Sequence, residues 1–181
     1  MRSLSYVFFL IGATLLASLS SAGEFKLEPG FTLIFNGKNL DGWRQKSDKA
    51  PLEGKTEAYK GRFKVVDGAI AFSAGNVYIE TTKEYAKDVH FKFDFKPGKA
   101  CNNDILFRGK KFDIITGNKE NPTTKEGQWS TFELIATGDT LVYKIDGATT
   151  RTTKGVKAAP STLILRAEIG VIEVKNIRVK E

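Results

Sequence analysis

The chain has 181 residues, 41% of them hydrophobic and 27% charged, which is the balance of one ordinary globular domain rather than a disordered or fibrous chain. Lys and Arg total 28 against 21 Asp and Glu, a net charge of +7, but the only adjacent basic pair is Lys110-Lys111 and no nucleic-acid-binding motif is present. A single cysteine, Cys101, excludes an intrachain disulfide and a Cys-rich zinc site, and a single histidine, His90, excludes a His-cluster metal centre.

The N-terminus reads as an export signal. Arg2 supplies a positive start, Tyr6 to Leu19 is an uncharged apolar run, and Ser20-Ser21-Ala22 places small residues where a signal peptidase cuts. Residues 1–22 are therefore expected to be a cleaved signal peptide and 23–181 one domain. The expected location is the bacterial periplasm or the medium, with no integral membrane span after cleavage and no nucleic-acid partner.

From residue 31 onward the periodicity is two. Strands are expected at 31–35, 63–66, 69–72 and 76–81, with turns at Asn36-Gly37, Asp41-Gly42 and Asp67-Gly68. The segment 83–87 is the one expected helical turn. Residues 89–96, Val-His-Phe-Lys-Phe-Asp-Phe-Lys, alternate strictly. Val89, Phe91, Phe93 and Phe95 fall on one face and His90, Lys92, Asp94 and Lys96 on the other, the pattern of a half-buried antiparallel strand. Pro97-Gly98 ends it. Further strands are expected at 104–108, 111–116, 131–137, 140–145, 148–153, 162–167 and 171–179, with Asp146-Gly147 as a hairpin turn. In the last of these Ile172 and Val174 share one parity, and Ile177 and Val179 the other. A bulge near Lys175-Asn176 would return both pairs to the core. Many short strands with almost no helix predict an all-β, antiparallel two-sheet sandwich.

Several segments are similar to a known family. Gly30 to Trp43, Gly-Phe-Thr-Leu-Ile-Phe-Asn-Gly-Lys-Asn-Leu-Asp-Gly-Trp, resembles the opening G-F-x-x-L-F-N-G-x-x-L-x-G-W of the 3-keto-disaccharide hydrolase domain family. Phe63 to Gly68, Asn102 to Arg108, Gly127-Gln128-Trp129 and Ile172 to Lys180 resemble later family segments, in the family's order. The resemblance implies a concanavalin A-like jelly roll, a carbohydrate partner (a disaccharide or oligosaccharide) and hydrolysis of glycosidic bonds of 3-keto-disaccharides or related glycosides. The chain also departs from the pattern. Phe112-Asp113 stands for a Tyr-Glu pair, Arg166 and Glu168 for a Gln and a His, and the insertion before Gly127 shrinks to about Thr116 to Glu126.

Site candidates follow from both readings. On a strand at 104–108, Asp104 and Arg108 share a face, and an adjoining strand would set Arg108 beside Asp113. Glycoside chemistry needs a pair of carboxyls, or one base plus a cation where a ketone acidifies the neighbouring C–H. Asp113 and Glu168 are the candidate catalytic bases. Asn102, Asp104, Arg108 and Arg166 are candidates for binding substrate, with one of the arginines as the cation. No cofactor is expected; Asn102-Asn103-Asp104 offers hard oxygens to a structural Ca²⁺ as the one metal alternative. Trp43 and Trp129 read as packing residues, His90 as a solvated strand residue, and Cys101 as an inert thiol. Two further functions remain open: a non-catalytic carbohydrate-binding module, and an interaction domain with an eroded site.

Overall fold

The computed structural model describes residues 25–86, 88–117 and 124–181, so the expected signal peptide lies outside the described residues. Among them are fourteen strands and no helix. The strands are β1 (Thr32–Leu33), β2 (Trp43–Gln45), β3 (Glu57–Ala58), β4 (Phe63–Val66), β5 (Ala69–Ser73), β6 (Val77–Thr81), β7 (Val89–Pro97), β8 (Asn102–Phe107), β9 (Lys110–Ile115), β10 (Ser130–Thr137), β11 (Thr140–Ile145), β12 (Ala148–Thr153), β13 (Ile164–Ile169) and β14 (Val171–Lys180).

They form two antiparallel sheets. One runs β12-β11-β10-β7-β14-β5-β4-β3, with β1 paired to the far half of β14; the other runs β2-β6-β13-β8-β9. The period-two pattern explains why the sheets stack. Phe91, Phe93 and Phe95 are fully buried, as are Ile105, Phe107 and Phe112 from the other sheet. Aromatic rings meet across the interface: Phe91 with Phe107 at 5.2 Å and Phe112 with Phe132 at 5.1 Å between centroids. Such edge-to-face pairs add to the burial of large apolar area.

Three hairpins use the same two-residue turn. Asp67-Gly68, Arg108-Gly109 and Asp146-Gly147 each have positive φ at both positions, matching the twist of the flanking strands. The β14 bulge is present. Lys175 pairs with Asp94 and Arg178 with Lys92, so β14 gains one residue on β7, and Asn176 takes it up at φ 54°. Ile172, Val174, Ile177 and Val179 are all buried as a result.

The expected helical turn at 83–87 is not there among the described residues. Tyr85 is buried and bridges to Ser161 in extended fashion, because its ring packs edge-on against Phe91 at 4.9 Å. Burial of one aromatic outweighs a weak local helical preference.

Candidate functional site

Sheet alternation selects which side chains leave the core. On the five-stranded sheet Ile105, Leu165 and Phe112 point inward, so their neighbours Asp104, Arg166 and Asp113 point outward. Register then aligns them. Tyr78, Arg166, Asp104 and Asp113 lie in one row across β6, β13, β8 and β9. Glu168 and Asn102 lie further along on the same face, beside an irregularity in the β13–β8 register between Arg166 and Ile169.

The row is tied together by charge. The Arg166 Nη1 donates to Asp104 Oδ2 at 2.5 Å and to Glu168 Oε2 at 3.0 Å. Its Nη2 lies 3.0 Å from Glu168 Oε1, its Nε donates to Asn76 Oδ1 at 2.9 Å, and its guanidinium sits 5.5 Å over the Tyr78 ring. Lys111 places its Nζ 2.5 Å from Asp113 Oδ1 and 3.8 Å from Asp104 Oδ1. Three carboxyls thus share one patch with Arg166 and Lys111, and the Arg151 charge acts on Asp113 as well. Asp104 forms its floor with a fully buried side chain, while the Asp113 and Glu168 side chains remain 23% and 24% exposed.

Two like-charged residues directly opposite each other cost stability unless one is protonated or a cation intervenes. Burial pushes the Asp104 carboxyl up to about 6, Asp113 pushes the same way, and Arg166 opposes. Burial also acts upward on Asp113, but Lys111 outweighs it and holds that carboxyl below its ordinary value. The pair therefore titrates unequally: Asp104 holds its proton to higher pH than Asp113 does.

Asn103 sets the position of Glu168. Its side chain is buried, its Oδ1 accepts from the Glu168 N–H at 2.8 Å, and its Nδ2 donates to the Ile169 carbonyl at 2.9 Å. Asn102, Asn103 and Asp104 alternate across the sheet, so the three side chains do not converge as the calcium alternative required.

Arg108 does not join the cluster. It is the first residue of the β8–β9 turn, with φ 47°, and its Nη1 reaches across the sandwich to the Gly138 carbonyl at 2.9 Å. The expected Arg108–Asp113 cross-strand pair is thus replaced by Asp104 opposite Asp113. Lys111, which sequence reading passed over, stands in the place given to Arg108. The signal was available: Lys111 precedes Asp113 by two on a strand, hence on the same face.

The remaining candidates lie elsewhere. Trp43 is buried and its indole N–H donates to the Ile34 carbonyl at 3.1 Å. Cys101 is buried, and burial pushes its thiol up, away from nucleophilic use. His90 is on the outer face of the nine-stranded sheet, 2.7 Å from Glu133, with burial holding its imidazole below its ordinary value.

Residues 30–117 match the family model of the 3-keto-alpha-glucoside-1,2-lyase-like domain. This is the family that the opening segment resembles. The match takes in β1 to β9, including Asp104, Lys111 and Asp113, while Arg166 and Glu168 on β13 lie beyond it. No curated protein sequence matches the chain.

Solved structures agree on the fold of this chain. A protein provisionally assigned as a glycosyl hydrolase, from Parabacteroides distasonis, superposes with a TM-score of 0.67 at 17% identity, over 83% of this chain and 93% of its own. A non-specific endo-beta-1,3(4)-glucanase of family GH16 gives 0.54 at 15% identity, over 87% and 93%. The carbohydrate binding module CBM66 from Bacillus subtilis gives 0.56 at 10% identity, over 77% and 96%. The architecture is a concanavalin A-like two-sheet sandwich. Among the described residues no helix is long and apolar enough to cross a membrane.

Proposed function

We propose that the chain is an exported carbohydrate-active protein that breaks the glycosidic bond of a 3-keto-disaccharide or a related keto-glycoside on the outer face of its five-stranded sheet. The observation that carries this reading is the meeting of Asp104, Asp113, Glu168, Arg166 and Lys111 in one patch. The lyase-like description of the matching family supports the same chemistry.

A ketone at C3 acidifies the C2–H bond. Asp113 or Glu168, the two partly exposed carboxylates, takes that proton, and the electron pair moves onto the C3 oxygen as an enolate. Arg166 or Lys111 stabilises that negative charge. The enolate then collapses, the C1–C2 double bond forms, and the C1–O bond breaks to release the aglycone as an alcohol once it has gained a proton. Addition of water across the new double bond makes the net reaction a hydrolysis. Asp104, fully covered, bears on the sugar only through its pairing with Asp113.

Product release measured by NMR on a 3-keto-disaccharide and on its unoxidised parent tests the reading. Turnover of the keto sugar alone is expected, falling by roughly 100-fold or more in Asp113→Asn or Glu168→Gln. Equal turnover of both sugars, or unchanged turnover in both variants, would overturn the assignment. The CBM66-like fold makes binding without turnover the outcome that would select a sugar-binding module instead. Export is tested by intact mass: the protein from the cell envelope should begin at Gly23, and a chain still carrying Met1 to Ala22 would contradict it.

A further inference from the structure

The outer face of the nine-stranded sheet carries a different feature. Register puts Lys64, Ala71, Glu173 and Lys96 in one row across β4, β5, β14 and β7, and Trp129 extends that row just before β10. Trp129 is 39% exposed, unlike the buried Trp43. Two ammonium groups lie over its ring: Lys175 Nζ at 4.1 Å from the centroid and Lys96 Nζ at 5.1 Å. Lys96 also meets Glu173 at 2.9 Å, whereas Lys64 and Lys175 have no acidic partner within salt-bridge distance among the described residues. The nearby carboxylate Asp94 is already engaged, accepting from Asn176 at 2.6 Å and from Thr131 at 3.2 Å.

We infer that this face is a second carbohydrate-binding surface, separate from the carboxyl patch, and that it takes an anionic polysaccharide bearing uronate or sulfate groups. An indole supplies a flat apolar plate for the C–H face of a sugar ring. Ammonium groups poised on that plate supply counter-charges within one residue's reach of it. A neutral sugar would leave the Lys175 ammonium without a counter-charge. A bilayer would need the whole indole to enter the acyl layer, which the two ammonium groups at its ring oppose, while the 39% of Trp129 that stays exposed is open to a sugar. The two sheets thus present opposite chemistry to the same class of molecule: one binds a chain of sugars, the other acts on a keto-sugar.

Binding of the folded protein to trigalacturonate and to dextran sulfate, followed by calorimetry and by Trp fluorescence, tests this, with neutral dextran and anionic phosphatidylglycerol vesicles as further arms. Binding of the two anionic glycans is expected, weakening on adding salt and by about tenfold in Trp129→Ala and in Lys96→Ala/Lys175→Ala. A control with the same charge loss elsewhere, Lys38→Ala/Lys55→Ala, should change affinity by less than about twofold. Asp113→Asn should bind these glycans as the wild type does, which separates this surface from the keto-sugar site. If Trp129→Ala does not fold, as judged by circular dichroism, Trp129→Phe with the lysine pair carries the test. No binding of either anionic glycan, equal weakening by both lysine pairs, or attachment to vesicles alone would each overturn the inference.

Discussion

The outer faces of the two sheets handle charge in contrasting ways. On the nine-stranded sheet each carboxylate meets its cations without a second carboxylate beside it: Glu28 takes Lys92 and Arg178, and Glu173 takes Lys96. On the five-stranded sheet two aspartates face each other in register, and a buried carboxyl shares its cations with two others. The first pattern is what surface strands need for solubility. The second raises the energy of the folded state, the kind of charge crowding that clusters at functional sites.

This contrast can be broken at the core that both faces share. Phe93→Ala removes a fully buried ring that stacks on Phe132 at 4.8 Å, and should cost about 3–5 kcal/mol by chemical denaturation. Arg166→Met should cost nearly as much, about 3 kcal/mol, because it strands the buried Asp104 carboxyl. Asp104→Asn with Arg166→Met should recover part of that loss, since neither uncompensated charge remains.

A pH titration sharpens the comparison. With its pKa raised to about 6, the folded Asp104 keeps a proton that the unfolded chain releases near its ordinary 3.8. Stability should therefore fall as pH rises from about 4 to about 6, and Asp104→Asn should flatten that slope. On the other sheet the sign reverses. Burial raises the Glu28 carboxyl, but hydrogen bonds from Arg178 and Lys92 outweigh it and hold it at about 2. Its contribution is complete above the ordinary pKa of 4.5 and fades as pH falls toward 2. Because Glu28 is partly exposed, Glu28→Gln should change stability by no more than about 1 kcal/mol, the smallest effect here.

The strands were readable because half-buried sheets impose a period of two, and Phe91, Phe93 and Phe95 keep it without a break. The bulge was readable because two apolar pairs of opposite parity cannot both reach one core through a regular strand. The site was readable in part. Asp104, Asp113, Arg166 and Glu168 share a face because parity fixes faces. Arg108 was misplaced because the strand ends one residue earlier than its charge pattern suggested: Gly109, with φ 69°, forms a two-residue turn with it and takes it out of the pleat. The missing helical turn at 83–87 and the buried role of Asn103 depend on what packs against them, which spacing alone does not encode.

The extra residue in β14 has one more consequence. If all ten residues paired regularly, with no bulge, every position after Lys175 would exchange faces. Ile177 and Val179 would turn to solvent while Arg178, which now reaches Glu28 at 2.7 Å, would be driven into the sandwich. Deleting Asn176 instead leaves Ile177 and Val179 in step with Ile172 and Val174, so for this protein's evolution a three-nucleotide deletion at that codon preserves the faces, whereas the same loss at Asp94 would invert the end of β7.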